Sequence, residues 1–285
     1  MSSMSTSDSR GTPANTVEER IRYRTTDGFD LVGLRASPAS CKAWVLMMHG
    51  ITESKNEYGG FYKDLARALN SKGLGTLRFD FRGHGESAGT SMDISVLGDV
   101  LDVEATLAQL PAASAGRLAF IGTSFGAGPA ILAAHSRRSS IQCLTLIAPV
   151  LDYTRTFLEP ETEWAREWFG AKAQDGVRSS GHFMLESFRL SPRLLEEFRY
   201  LRPVEFLRES AIPTLIIHGN RDSMVPYGVS LEAAALGPPV ALHTLKDADH
   251  GYTHFEDEAG IGPKSLELKR ELIDEAVRFV VNKVS

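Results

Sequence analysis

The sequence predicts an α/β fold: a mostly parallel central sheet flanked by helices, with a helical insert between two of its strands. Three observations carry this expectation. Continuous apolar runs such as Ala43–Met48 and Cys143–Pro149 suit strands buried on both faces. Single helical patterns separate them, which calls for right-handed crossovers and parallel pairing. The alternation then breaks once, between about Asp152 and Glu209, where no buried strand is evident and helical stretches take over.

The elements follow in order. Arg20–Thr25 and Phe29–Arg35 alternate about an Asp27-Gly28 turn, as a hairpin would. Ala43–Met48 is a buried strand that ends in His49-Gly50. Tyr58–Ser71 has helical spacing through Phe61, Leu65, Ala68 and Leu69, and Gly75–Asp80 is the next strand. Ser95–Leu110 is a helix with Val96, Val100, Val103 and Leu107 on its apolar side. Leu118–Gly122 is a strand, Phe125–Ser136 a helix and Cys143–Pro149 a strand. After the break come the strand Thr214–Gly219, the helix Ser230–Leu236 and the strand Val240–Leu245. An amphipathic helix, Lys264–Lys283, closes the order with Leu272, Ala276 and Val280 on one face.

The expected division is a disordered Ser/Thr-rich tail over residues 1–16, a sheet core over 17–150 and 210–285, and a helical cap or lid over 151–209. The cap has Glu161–Phe169 and Pro192–Leu201 as helices. It holds ten of the chain's 24 aromatic residues, including Trp164, Trp168, Phe169 and Phe198, and ligand pockets are aromatic-lined and favour domain junctions. A small subdomain with its own core is the plainer alternative.

Composition narrows the function classes. The 285 residues are 42% hydrophobic and 24% charged, which is globular, and a chain of this size buries about 75% of its unfolded surface without needing disulfides. Cys41 and Cys143 form no CxxC, so a disulfide scaffold, zinc ribbon or dithiol redox site is not expected. A net charge of −5 with no Lys/Arg block argues against a nucleic-acid surface. No apolar run is long enough to span a membrane, and the N-terminus lacks the apolar stretch of a signal peptide, so a cytoplasmic enzyme is expected. The eight histidines are scattered without metal-ligand spacing, and neither metal nor organic cofactor is expected.

The chemistry centres on Gly122-Thr123-Ser124-Phe125-Gly126, between a strand and an apolar helix. A serine on such a tight turn projects Oγ above the sheet, and flanking glycines avoid collisions with neighbouring elements. Such a serine needs a base, and in chain order an acid and then a histidine should follow. Asp222 lies just past the strand Thr214–Gly219, and His250 lies in the exit loop of Val240–Leu245, so all three sit at carboxyl ends of strands. His254 is the rival base and Asp152 the rival acid. Asp249, next to the base in sequence, should point away, and Asp247 also flanks it. His49, His84, His218 and Asp80 read as structural, and His135, His182 and His243 as incidental.

With these residues in view, the chain resembles the α/β-hydrolase superfamily over nearly its whole length after the tail. The resemblance rests on His49-Gly50, Asp80-Phe81-Arg82-Gly83-His84-Gly85-Glu86-Ser87, the Ser124 turn, Gly219-Asn220-Arg221-Asp222-Ser223-Met224-Val225-Pro226 and Asp249-His250-Gly251. His49–Asn56 together with Phe79–Ser87 looks most like the capped carboxylesterases of the cinnamoyl/feruloyl esterase group, although Ile51 stands where that group usually carries an aromatic residue. Val150–Leu158 is more faintly similar to acyl thioesterase and acyltransferase members. The resemblance implies Ser124 as nucleophile, His250 as base, Asp222 as orienting acid, and an oxyanion hole at the backbone N–H groups of Ile51 and Phe125. It implies a serine hydrolase acting on a small-molecule carboxylic ester or acyl thioester. An acyltransferase, a C–C hydrolase or lyase using the same triad, and a non-catalytic binding module stay open. Exposed cap aromatics would also suit a homodimer.

Overall fold

The computed structural model describes residues 16–284 apart from 40, 115, 238 and 258, so the expected tail lies almost wholly outside the described residues. Among the described residues the central sheet has eight strands: β1 (Glu18–Arg24), β2 (Asp30–Ala36), β3 (Trp44–Met48), β4 (Gly75–Asp80), β5 (Leu118–Thr123), β6 (Ile141–Ile147), β9 (Thr214–Gly219) and β10 (Val240–Leu245). Two shorter strands, β7 (Phe183–Leu185) and β8 (Phe188–Leu190), pair only with each other. The sheet order is β1-β2-β4-β3-β5-β6-β9-β10, and only β2 runs against the rest.

Side chains alternate across the sheet. In β3, Trp44, Leu46 and Met48 enter one core, while Val45 and Met47 enter the other. In β5, Leu118 and Phe120 join the first core and Ala119 and Ile121 the second. Both faces are therefore dry, which is why these strands read as unbroken apolar runs. Helices α1 (Phe61–Ser71) and α9 (Pro263–Val284) cover the Val45 face. Helices α2 (Val96–Leu107), α3 (Ala127–Ser136) and α8 (Tyr227–Ala234) cover the Trp44 face. The Ser95 hydroxyl starts α2 by accepting from Gly98 N at 3.0 Å, the usual N-cap chemistry. Among the described residues no helix is long and apolar enough to cross a membrane.

Between β6 and β9 the chain leaves the sheet. This segment holds a π-helical turn, Thr154–Leu158, then α4 (Glu163–Phe169), α5 (Ala171–Ser180), the β7–β8 hairpin, α6 (Pro192–Tyr200) and α7 (Pro203–Arg208). The hairpin departs from the expected purely helical insert. Its strands have three residues each, too short for period-two alternation to stand out, yet Phe183, Leu185 and Leu190 are buried. The segment has an aromatic core of its own, in which Phe157 stacks on Phe198 at 4.6 Å between ring centroids and meets Phe169 at 4.6 Å. Phe125, from the serine turn, enters the same core at 6.1 Å from Tyr153 and from Phe198. Glu197 of α6 reaches the start of α2, accepting from Val96 N at 2.6 Å.

Candidate active site

The parallel strands β3, β5, β9 and β10 deliver their carboxyl ends to one edge of the sheet, and the site is built there. Ser124 follows β5 directly with φ of 50°, a left-handed conformation that a non-glycine residue adopts only at some cost. The glycines around it are demanded by their neighbours. A Cβ on Gly126 would lie 2.4 Å from the His49 carbonyl oxygen and 2.5 Å from that of Met48. A Cβ on Gly122 would lie 2.8 Å from the Gly126 oxygen and 2.9 Å from the Ala127 Cα. Helix α3 starts at Ala127, so its positive end lies behind the serine.

Ser124, His250 and Asp222 form one hydrogen-bonded chain. His250 Nε2 lies 3.1 Å from Ser124 Oγ, and His250 Nδ1 lies 2.7 Å from Asp222 Oδ2. An ionised carboxylate only accepts, so Nδ1 carries the proton and Nε2 is free to accept from the serine. The Asp222 side chain is fully buried. Its Oδ1 accepts from Met224 N at 2.9 Å and Val225 N at 2.8 Å. Its Oδ2 also receives His218 Nε2 at 2.9 Å, and His218 Nδ1 in turn faces Ser230 Oγ at 2.7 Å. Burial favours the neutral acid, but the His250 charge and the His218 and His250 hydrogen bonds outweigh it and hold the carboxyl well below the usual range. Burial likewise disfavours a charged His250, and the Asp222 charge outweighs it, so the imidazole is raised above an ordinary histidine.

The turn after β3 supplies the third side of the site. His49 Nε2 accepts from Phe81 N at 3.1 Å, so its Nδ1 donates to the Gly50 oxygen at 2.7 Å. Burial pushes His49 down to about 4, which keeps it neutral in this role. The Gly50 N–H donates to Glu57 Oε2 at 2.9 Å. Glu57 is 6% exposed, and burial pushes its carboxyl up to about 7. Lys55 ties the same loop to the next one, donating through Nζ to Asp80 at 2.6 Å and to Glu86 at 2.8 Å. Tyr62 joins the strand ends: its hydroxyl donates to the Met48 oxygen at 2.8 Å and lies 2.7 Å from Thr123 Oγ1.

Ser124 and His250 open into a cavity of about 420 Å³. Ile51, Tyr58, Trp164, Leu185, Met224 and Tyr252 supply apolar wall, and Glu53, Glu57, Glu186 and Asp249 supply carboxylates. Trp164, Leu185 and Glu186 come from the segment between β6 and β9. Among the described residues, no lysine or arginine lines this cavity, and no cluster of His, Cys, Asp or Glu is placed to hold a metal ion.

Of the residues singled out in the sequence, Ser124, Asp222 and His250 meet, and Ile51 lines the cavity beside them. Phe125 follows the serine in the same turn, its ring buried in the aromatic core. The rivals lie in other bonds. His254 is held among Ser265, Glu256 and Lys264. Asp152 caps the π-helical turn, accepting from Thr154 N and Arg155 N. Asp249 does not aim at the imidazole; it accepts the His250 backbone N–H at 2.7 Å and Ser223 N at 2.8 Å, tying the acid loop to the base loop. Two participants went unread in the sequence: Glu57, and His218 as a partner of Asp222. A lone acid in a polar loop carries no spacing signal, and the His218 contact appears only when β9 and its exit loop fold back.

Comparison with known proteins agrees with this architecture. A family model for serine aminopeptidases of the S33 family matches residues 39–180, a span that includes Ser124. The uncharacterised protein YfhR of Salmonella typhimurium is 25% identical over 256 residues, covering 84% of this chain and 76% of that protein. Among solved structures, Est1E from Butyrivibrio proteoclasticus with bound ferulic acid superposes with a TM-score of 0.68 at 21% identity, covering 89% of this chain and 98% of that one. The Pyrococcus furiosus esterase PF2001 gives 0.66 at 20% identity, covering 95% and 92%. With its seven co-directional strands, its serine on the turn after β5 and these likenesses, the chain has the α/β-hydrolase fold.

Proposed function

We propose that the protein is a serine hydrolase that cleaves a carboxylic ester, or an acyl thioester by the same chemistry, through an acyl-enzyme intermediate. The carrying observation is the chain Ser124–His250–Asp222, at 3.1 Å and 2.7 Å, opening into a cavity with apolar and acidic walls. Ser124 Oγ attacks the acyl carbon while His250 Nε2 takes its proton. The carbonyl oxygen becomes an oxyanion held by the Phe125 and Ile51 N–H groups, with the α3 dipole behind them. His250 then returns the proton to the departing alkoxide or thiolate. Water repeats the sequence on the acyl-enzyme and releases the acid and free Ser124. Asp222 stays ionised throughout and stabilises the imidazolium. Residues 151–209 act as a cap, since Trp164, Leu185 and Glu186 close the cavity over the serine.

The wall charge sorts the substrates. Glu53, Glu186 and Asp249, with no lining lysine or arginine, favour neutral or cationic substrates over polyanions such as coenzyme A thioesters. A second reading follows from the same wall. Glu53, beside Glu186, would receive the amino group of an aminoacyl substrate, in keeping with the serine aminopeptidase model that matches the chain. A panel of p-nitrophenyl esters, acyl-coenzyme A thioesters and amino-acid p-nitroanilides separates the readings, and adding an alcohol acceptor exposes acyl transfer. The Ser124→Ala variant is expected to lose both ester turnover and labelling by a fluorophosphonate probe. Full turnover in that variant overturns the proposal.

A further inference from the structure

We infer that Glu57 is a positioning residue for oxyanion stabilisation, holding the His49–Gly50 peptide and, through Gly50, the aim of the next N–H, that of Ile51, toward Ser124. This rests on the hydrolase reading above. The Gly50 residue is gripped on both sides. Its N–H donates to Glu57 Oε2 at 2.9 Å, and its C=O accepts from His49 Nδ1 at 2.7 Å. In a trans peptide the C=O and the following N–H point in opposite directions, so fixing the Gly50 carbonyl on His49 aims the Ile51 N–H away from His49. Gly50 itself packs on the serine: a Cβ there would lie 3.3 Å from Ser124 Cβ and 3.8 Å from Ser124 Oγ.

Glu57 is built to hold this position. It has φ of 58°, and its backbone is locked by Glu57 N to Ser54 O at 2.8 Å and Gly60 N to Glu57 O at 2.9 Å. Two residues earlier, Lys55 N and Nζ both bond Asp80. Among the described residues no cation forms an ion pair with Glu57, and a buried acid without one is costly. The backbone donor of Gly50 accounts for a carboxyl there, whereas an apolar residue of equal size would only fill space.

The test compares wild type with E57M, which keeps the volume without an acceptor, E57Q, which keeps one acceptor oxygen, and E57D, whose carboxylate falls one methylene short. Each is assayed with p-nitrophenyl butyrate and with the matching thionoester, whose sulfur accepts oxyanion-hole hydrogen bonds poorly. Removing an oxyanion donor outright costs about 10²–10³ in kcat, so misaiming one should cost about tenfold in E57M, with KM within about threefold of wild type. E57Q should recover most of that loss, and the ester-to-thionoester rate ratio should fall in E57M while staying near wild type in E57Q. A purely structural role would leave that ratio unchanged. E57D keeps the test decisive if E57M does not fold, because it should show the same loss of kcat and of ratio. Wild-type kcat in E57M or E57D, an unchanged ratio, or E57Q no better than E57M overturns the inference while leaving the hydrolase reading intact. A wild-type protein that turns over no ester and escapes the fluorophosphonate probe removes the hydrolase reading and this inference with it.

Discussion

Replacing Gly126 with alanine tests how tightly the serine turn is built onto β3. The new Cβ would sit 2.4 Å and 2.5 Å from the carbonyl oxygens of His49 and Met48. A carbon meets a carbonyl oxygen comfortably at about 3.3 Å, so one side must retreat by close to 1 Å. Both obstructing atoms are backbone, so no rotamer change relieves the clash. The Met48 oxygen is also held by Tyr62 Oη at 2.8 Å, and the Gly50 turn beyond it by His49 and Glu57. Overpacking of this kind costs about 1–3 kcal/mol, which for a chain of this size lowers Tm by about 2–4 °C per kcal/mol. The larger effect should fall on chemistry, because the displacement separates the two proposed oxyanion donors, and an error near 1 Å costs about 10² in rate. Steady-state kinetics on a p-nitrophenyl ester with parallel thermal melts measure both quantities. Gly176→Ala is the control: nothing lies within 4 Å of that Cβ, and alanine in the interior of α5 should stabilise by about 0.5–1 kcal/mol without touching kcat. A G126A protein that melts as predicted but keeps wild-type kcat would falsify the proposed coupling between the β3 turn and the serine turn.

Four more outcomes are expected. Because the Asp222 charge raises His250 above its ordinary value of 6.5, the protonated, inactive form persists to higher pH, and kcat/KM should rise with a midpoint above 6.5; a midpoint at or below that value refutes the assignment. Asp222→Asn should lower that midpoint and reduce kcat by about 10⁴, as measured across a pH series, because the amide removes the charge and can present a donor to Nδ1. The same variant should lose less stability than wild type on acidification, since a depressed carboxyl contributes stability that disappears as pH falls through its folded-state value. Phe198→Ala opens the aromatic core against Phe157 and should cost about 3–5 kcal/mol in denaturant unfolding, with faster proteolysis inside residues 151–209; resistance equal to wild type would show that the segment does not depend on this core.

Much of the sheet was readable because burial on both faces leaves a plain mark. Val45 and Leu46 serve opposite cores, so β3 shows as an unbroken apolar run, and β5, β6 and β9 read alike. The serine turn was readable because collisions at Gly122 and Gly126 dictate its composition. Other features depend on tertiary contacts that leave no periodicity. The β7–β8 hairpin is defined by burial of Phe183, Leu185 and Leu190 in the aromatic core, with Phe183 against Phe169 at 5.4 Å. The place of Glu57 depends on a left-handed backbone that nothing local announces in a glutamate. The helix expected from Tyr58 begins instead at Phe61, because Gly59 and Gly60 take positive φ.

Phe125 belongs to two structures at once. Its backbone stands beside Ser124, while its ring is packed among Tyr153, Phe157 and Phe198 of the overlying segment. Grafting a different segment onto this sheet to change selectivity is therefore not a modular exchange. The donor segment must bring an aromatic socket for that ring, or the graft will disturb the peptide that follows Ser124. Libraries that vary Trp164, Glu186 and Met224 while leaving Tyr153, Phe157, Leu185 and Phe198 untouched should reshape the cavity without loosening the serine.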